Sequence, residues 1–193
     1  MRCWSLRRPP SGFQSGVTLI ELVVAVAVLA ILVSIAVPSF REVALNNRAS
    51  SITNDLLADL STARSEAVKV AGRAAVLASG ATWADGWDVF VDDNGNGTID
   101  DDEEVIKTVG DINLGRGDNN KFGLTGLAGA TSGGSGAEAI VFGPMGQLLE
   151  PADGARLIVC RPDGNSERSR GIRIDISGRM QAVRDATVLG GDC

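Results

Sequence analysis

The longest apolar pattern in the chain runs from Val17 to Val37 and contains one charged side chain, Glu21. At about 1.5 Å rise per residue, a helix of this length spans about 30 Å of hydrocarbon. The pattern therefore predicts a transmembrane helix segment over residues 17–37. A carboxylate in such a span is costly unless it has a partner, so Glu21 is either functional or placed in the headgroup layer.

A second periodicity follows Pro38. Apolar residues recur at three- and four-residue spacing from Phe40 to Val70, with polar residues between them, and Gly72 is a typical stop. This pattern predicts that the helix continues as an amphipathic segment over residues 38–72. Pro38 removes a backbone hydrogen bond, so we expect the helix to bend there. The apolar face of the second half would carry the soluble domain.

Residues 73–193 have a different character, with short β-branched or alternating runs separated by Gly, Asp, Asn and Pro. They predict about seven strands: Ala74–Ser79, Trp87–Val91, Val105–Val109, Ala139–Phe142, Ala155–Cys160, Gly171–Ile176 and Arg179–Val183. Residues 110–136 are rich in Gly, Asn and Ser. They predict a long loop with at most a weak strand around Phe122–Leu124 and a mobile part at Thr131–Gly136. The expected fold is α+β, a long N-terminal helix packed on a largely antiparallel β-sheet domain.

Charge sets the expected orientation. The segment before the apolar run carries Arg2, Arg7 and Arg8 and no acid, so the positive-inside rule places it in the cytoplasm. Everything after Pro38 would then lie outside. Without these arginines, 15 of the 18 basic residues remain against 24 acids, a net charge of about −9. That balance argues against general affinity for nucleic acid.

The cysteines fit an external domain. Cys3 lies in the basic leader, and Cys160 and Cys193 remain as an even number in a chain destined for an oxidising compartment. A bridge between them would close a loop of about 34 residues and stabilise the fold by roughly 3 to 4 kcal/mol. The alternative is two free thiols.

The start of the apolar run resembles the processing site of type IV prepilins and pseudopilins. The residues are Gly16-Val17-Thr18-Leu19-Ile20-Glu21-Leu22, preceded by a short basic leader, residues 1–16. The resemblance implies that a prepilin peptidase cuts after Gly16 and that Val17 becomes an N-methylated terminus. It also implies that Glu21 pairs with the terminal amine of a neighbouring subunit during assembly. Pro38 matches the family's usual helix-kinking proline.

A competing processing site is Ala25-Val26-Ala27, which has the small-x-small form of a signal peptidase cut. The segment Val17–Val24 would be its short apolar core. The apolar run continues ten residues past Ala27, however, and a discarded signal would not need that continuation.

An acidic loop, Asp92–Glu103, matches the calcium-loop pattern D-x-[DN]-x-[DN]-G-x5-E over its whole length. Calcium prefers six to eight oxygen ligands. They would come from the side chains of Asp92, Asn94, Asn96, Asp100 and Glu103 and from the Thr98 carbonyl. The flanking runs predict strands, so the loop would close a β-hairpin, and its two Asn-Gly pairs are also ordinary hairpin signals. The pattern leaves open a calcium site or a solvated turn with no bound ion.

Other residues are similar to the GspH/FimT group of pilin-like proteins. They are Trp83-Ala84-Asp85-Gly86-Trp87, Phe90, the acidic loop, and the layout of Cys160, Ser177-Gly178-Arg179 and Cys193. The resemblance implies a minor pilin or type II secretion pseudopilin that packs with other pilins. It would be a single-pass protein of the bacterial inner membrane with a periplasmic C-terminal domain. The chain has no histidine, which excludes Ser-His and Cys-His devices, and we expect no enzyme.

Two other functions compete with this interpretation. The first is a DNA-binding minor pilin for natural transformation, for which the candidate residues are Arg170, Arg173, Arg179 and Arg184. Neighbouring acids nearly cancel these charges, and no aromatic residue there would stack on bases. The second is a membrane-anchored calcium-binding module with no fibre, which predicts an uncut leader.

Overall fold

The structure is a computed structural model that describes residues 16–117, 120–128, 139–190 and 193. The predicted leader, except Gly16, and the predicted mobile part at Thr131–Gly136 lie outside these residues. A single α-helix, α1, runs from Leu19 to Lys69 with Pro38 inside it. The predicted bend at Pro38 stays a prediction. The chain separates into two compact units, with the boundary between Glu42 and Val43.

The first half of α1 is apolar on every side. Its most apolar 18-residue window has a mean hydropathy of 2.9, and none of that window is buried. By length and composition, α1 is the one helix among the described residues that would cross a membrane. The exposed side chains are those expected to face lipid or other helices.

The second half of α1 buries one face. The buried apolar positions recur every three or four residues: Ala49, Ile52, Leu56, Leu60, Ala63 and Ala67. They form one core cluster with residues from both sheets of the domain. The amphipathic pattern predicted for this half is therefore the face on which the domain packs.

The described residues of the domain contain nine strands: β1 Ala74–Ala78, β2 Trp87–Val91, β3 Val105–Val109, β4 Gly123–Ala128, β5 Ile140–Phe142, β6 Leu148–Glu150, β7 Ala155–Cys160, β8 Arg170–Ile174 and β9 Met180–Val183. Five form a sheet of order β3-β2-β1-β5-β6, and four form a sheet of order β4-β7-β8-β9. Every strand pair is antiparallel. This arrangement confirms the predicted fold class.

All seven predicted strands occur. The structure also contains β4, which overlaps the weak strand allowed around Phe122–Leu124, and β6, which was not predicted. The loop predicted over residues 110–136 is wrong at Gly123–Ala128, where β4 pairs with β7 over six residues. Glycine weakens a strand interior, and β4 contains two glycines, so its local sequence signal is poor. The three-residue strand β6 is too short to give a pattern. The strand β4 owes its conformation to pairing with β7, which is distant in sequence, whereas β6 pairs with β5 across a short turn.

Candidate assembly segment and acidic loop

The predicted processing site lies in exposed, non-helical chain before α1. No atom lies within 4 Å of a Cβ built on Gly16, and Val17 is 73% exposed. The helix begins two residues later, at Leu19. A peptidase acts on exposed backbone outside regular structure, so this segment is accessible to one.

Glu21 lies in the first turn of α1, where its backbone N–H donates to Thr18 Oγ1 at 3.3 Å. A negative charge at this end is favoured by the helix dipole. The adjacent Ile20 and Leu22 are exposed and apolar. Among the residues that the structure describes, none forms an ion pair with the Glu21 carboxylate.

The acidic loop connects β2 and β3, as the sequence predicts for a hairpin. The loop is closed by a hydrogen bond from Val91 N–H to the Glu104 carbonyl at 2.9 Å. Its side chains accept hydrogen bonds from its own backbone. Asn94 Oδ1 accepts from Asn96 N–H at 2.9 Å, and Asn96 Oδ1 accepts from Thr98 N–H at 2.8 Å. These contacts order the loop from within.

Two acids complete the internal network of the loop. Asp100 Oδ2 accepts from the side-chain amides of Asn94 and Asn96 at 2.6 and 2.7 Å. The Glu103 carboxylate accepts from the backbone N–H groups of Asp93 and Asp100 at 3.0 and 3.2 Å. In the described chain, no group of three or more Asp, Glu, His or Cys side chains is arranged to hold a metal.

Asp92 differs from the other acids of the loop because its side chain is buried. It is 1% exposed, and its Oδ1 accepts from Gly95 N–H at 2.8 Å. Its Oδ2 is buried and has no hydrogen-bond partner. A buried carboxylate oxygen without a donor is energetically costly and calls for an explanation.

Two basic side chains lie near the loop. Arg73 donates from Nη1 to the Gly95 carbonyl at 3.2 Å. The hydrogen bond from Lys69 to Glu66 and the charge of Glu66 raise the pKa of Lys69, and the charge of Glu104 adds to this effect. Both cations lie at the exposed rim of the loop, and neither donates to the orphaned oxygen of Asp92.

The predicted disulfide is present. Cys160 at the end of β7 is bonded to Cys193, with 5.3 Å between the Cα atoms. The Cys193 N–H also donates to Ser166 Oγ at 3.1 Å. The bridge ties the C-terminal end of the chain to the four-stranded sheet.

The four arginines proposed for DNA binding fall on two faces of the four-stranded sheet. Side chains alternate along a strand, so Arg170 and Arg173 lie on opposite faces of β8. The register that pairs Gly171 with Val183 makes Arg170 and Arg184 the next opposed positions. Arg173 instead bonds to Asp175 at 3.1 Å, and Arg179 is exposed. The structure therefore brings together two of the four residues.

Arg170 and Arg184 line a cleft of about 420 Å³ between α1 and the edge of the sheet. The other lining residues are Ser50, Thr53, Asn54, Ala182 and Val183. Arg170 Nε is buried there without a hydrogen-bond partner.

The buried ionic contact between Asp59 and Lys107 was not predicted from the sequence. Asp59 is 2% exposed on the packed face of α1. It accepts from Trp87 Nε1 at 2.9 Å and pairs with Lys107 Nζ at 2.5 Å, which joins the helix to β2 and β3. The signal was available, because Asp59 lies at helical spacing between Leu56 and Ala63 on the apolar face. Its role is structural, since Trp87 and Lys107 already occupy both oxygens.

Two family models match the chain, one over the N-terminal apolar segment and one over most of the domain. The family described as type II transport protein GspH matches residues 53–178, and the prokaryotic N-terminal methylation motif matches residues 12–37. No curated protein matches significantly.

Two crystal structures of the type IV minor pilin FimU from Pseudomonas aeruginosa PAO1 have a similar fold. The first is 20% identical, with a TM-score of 0.55, and the match covers 72% of this chain and 96% of FimU. The second is 19% identical, with a TM-score of 0.52, and covers 71% and 98%. The GspH match spans more than half of the chain, and the methylation motif coincides with the apolar segment. The chain therefore belongs to the GspH family and is a minor pilin or pseudopilin.

Proposed function

We propose that the chain is cut after Gly16, N-methylated at Val17 and packed through the first half of α1 into a type IV pilus or a type II secretion pseudopilus. Its role there is structural. The observation that carries the proposal is an exposed, membrane-length helix with an acid in its first turn, Glu21, that has no ion-pair partner among the described residues.

The exposed apolar surface of α1 needs an apolar environment. In the inner membrane lipid supplies it, and in a fibre the corresponding helices of other pilins supply it. Apolar helices associate by close approach at small side chains. The first half of α1 offers such residues at Ala25, Ala27, Ala30, Ser34 and Ala36. Ser34 does not obstruct packing as an unsatisfied polar group, because its hydroxyl donates to the Ile31 carbonyl at 2.7 Å.

Glu21 would set the register of that packing. After cleavage, the α-amino group of Val17 in a neighbouring subunit is largely cationic, since terminal amines have a pKa of roughly 7.7 to 8. An ion pair in apolar surroundings is stronger than one in water. A subunit that joins at another offset would leave the Glu21 carboxylate unpaired among apolar side chains, at a cost of several kcal/mol. Pairing therefore selects one axial position.

The proposed orientation places the C-terminal domain in the periplasm. Arg2, Arg7 and Arg8 precede the span, and arginines on that side favour a cytoplasmic N-terminus. The Cys160–Cys193 disulfide supports the same orientation, because such bonds persist in oxidising compartments.

The test is the intact mass and N-terminal sequence of the chain recovered from bacterial membranes with and without a prepilin peptidase. We expect N-methylated Val17 in the first case and an intact leader in the second. The variant Ala27→Leu is the matched control, because it removes the small residue that a signal peptidase needs and leaves Gly16 untouched. Its processing should be normal. A start at Val28, or an intact leader in the presence of the peptidase, would contradict the proposal.

A further inference from the structure

We propose that the acidic loop, Asp92–Glu103, is a calcium site that closes the β2–β3 hairpin. The proposal is independent of fibre assembly. It starts from Asp92, whose carboxylate is 1% exposed and has one oxygen without any donor. A protein does not gain stability from a buried, half-satisfied carboxylate, whereas a bound cation would satisfy it.

The charge of the loop supports a cation. Residues 92–104 contain seven acids and no base. Arg73 reaches the Gly95 carbonyl and Lys69 interacts first with Glu66, so neither neutralises the buried carboxylate. Like charges held this close repel one another, and a divalent ion would reverse that repulsion.

Oxygen ligands surround the same turn. The side chains of Asn94 and Asn96 both meet Asp100 Oδ2, at 2.6 and 2.7 Å, so three of the predicted ligand positions converge. Asn94 Oδ1 accepts one backbone N–H and keeps a second lone pair for a cation, whereas Asn96 Oδ1 accepts from both the N–H and the hydroxyl of Thr98. The Thr98 carbonyl and Glu103 complete the predicted set. Gly97 has φ of +69°, the left-handed conformation that lets the chain turn sharply at this point.

The ligand chemistry indicates calcium of modest affinity. In the described residues no three carboxylates converge, so the site relies on amide and carbonyl oxygens around a few acids. Such sets suit the larger, geometrically tolerant calcium ion, whereas magnesium demands a near-ideal octahedron. The dissociation constant should fall in the range of extracellular modules, roughly 10⁻⁴ to 10⁻³ M.

The first measurement is calorimetric titration of the full chain in detergent micelles with calcium chloride, and separately with magnesium chloride. We expect saturable calcium binding and at least tenfold weaker magnesium binding. Asp92→Asn keeps an oxygen to accept from Gly95 N–H but replaces the orphaned oxygen, so it should weaken calcium binding at least tenfold. Glu103→Gln is a second variant at another predicted ligand and should also weaken it at least tenfold.

The matched controls are Asp101→Asn and Asp102→Asn. Both remove an exposed acid from the same loop, and neither belongs to the predicted ligand set. They should change the dissociation constant less than threefold. Absence of calcium binding at about 10 mM, equal binding of magnesium, or equal weakening by Asp102→Asn and Asp92→Asn would overturn the proposal.

Thermal unfolding separates a ligand role of Asp92 from a purely structural one. In EDTA, Asp92→Asn should unfold at the same temperature as the parent chain or higher, because it removes an uncompensated buried charge. In saturating calcium it should unfold at a lower temperature than the parent. A decrease of the same size in both solutions would show that Asp92 only stabilises the fold, and the proposal would fail.

Discussion

The two halves of α1 show how one helix serves two environments. Up to Glu42 the side chains are almost all exposed, although most are apolar, whereas from Val43 onward one face is buried in the domain core. The acids differ in the same way. Glu21 has no ionic partner in the described chain, but Asp59 has both Trp87 and Lys107.

This difference separates assembly from folding. The second half contributes its apolar face to the core and is expected to determine the stability of the domain. The first half contributes no buried side chain to that core, so its residues are available to lipid and to other subunits. Substitutions in the first half should therefore change incorporation into fibres, and substitutions in the second half should change the free energy of unfolding of the domain.

The largest expected effect is on assembly. Glu21→Ala should reduce the amount of this subunit in sheared fibres at least tenfold, because it removes the carboxylate proposed to pair with a terminal amine. Cleavage and membrane insertion should continue, as checked by N-terminal sequencing of the membrane fraction. The control is Asp55→Asn in the second half, where the exposed carboxylate accepts from Ser51 on the same helix. Normal incorporation of Glu21→Ala would remove the proposed role of Glu21.

The next effect is on stability, and it contrasts matched leucines. Leu60→Ala should lower the free energy of unfolding by about 2 to 5 kcal/mol, because Leu60 is fully buried in the core. Leu29→Ala, at an exposed position of the first half, should change it by less than about 0.5 kcal/mol. Urea unfolding of the processed chain in micelles, followed by the fluorescence of Trp83 and Trp87, measures both. Similar losses would show that the halves are not independent.

A smaller loss is expected from the buried ionic contact. Asp59→Ala removes the acceptor of Trp87 Nε1 and should lower the free energy of unfolding by about 1 to 3 kcal/mol. Lys107 is half exposed and can turn to water, so Lys107→Met should cost less than Asp59→Ala. The same fluorescence measurement compares the two. A greater loss from Lys107→Met would mean that the ion pair, rather than the tryptophan hydrogen bond, dominates.

The smallest effect on the domain should come from Pro38→Ala. Pro38 precedes Val43, where the compact domain begins, so the free energy of unfolding should change by less than about 0.5 kcal/mol. If Pro38→Ala then changes the amount of the subunit in fibres, the change is attributed to loss of the bend predicted at Pro38. A loss of domain stability above about 1 kcal/mol would show that the residues that stabilise the domain begin before Val43.

Much of the site could be predicted because its signals are local. The apolar run, Glu21, the cysteine pair and the hairpin around the acidic loop each occupy a continuous stretch or follow from composition. The buried state of Asp92 was not predictable, since the same residue in a solvated turn has the same sequence. Nor was the separation of the four arginines, because it depends on strand alternation and on the register of β8 with β9.

Local sequence patterns predict the membrane-length helix, its amphipathic continuation, seven of the nine strands among the described residues and the processing motif, because periodicity and charge act over short distances along the chain. The folded domain was needed to show that the strand at Gly123–Ala128 is six residues long and that Leu148–Glu150 extends the other sheet. It alone joined Asp59 to Lys107 and left Asp92 with an orphaned oxygen. The pairing of β4 with β7 and the contact of Asp59 with Lys107 join residues far apart in sequence, where the free energy of pairing and burial outweighs local propensity. The strand at Leu148–Glu150 pairs across a short turn and is too short to give a sequence pattern.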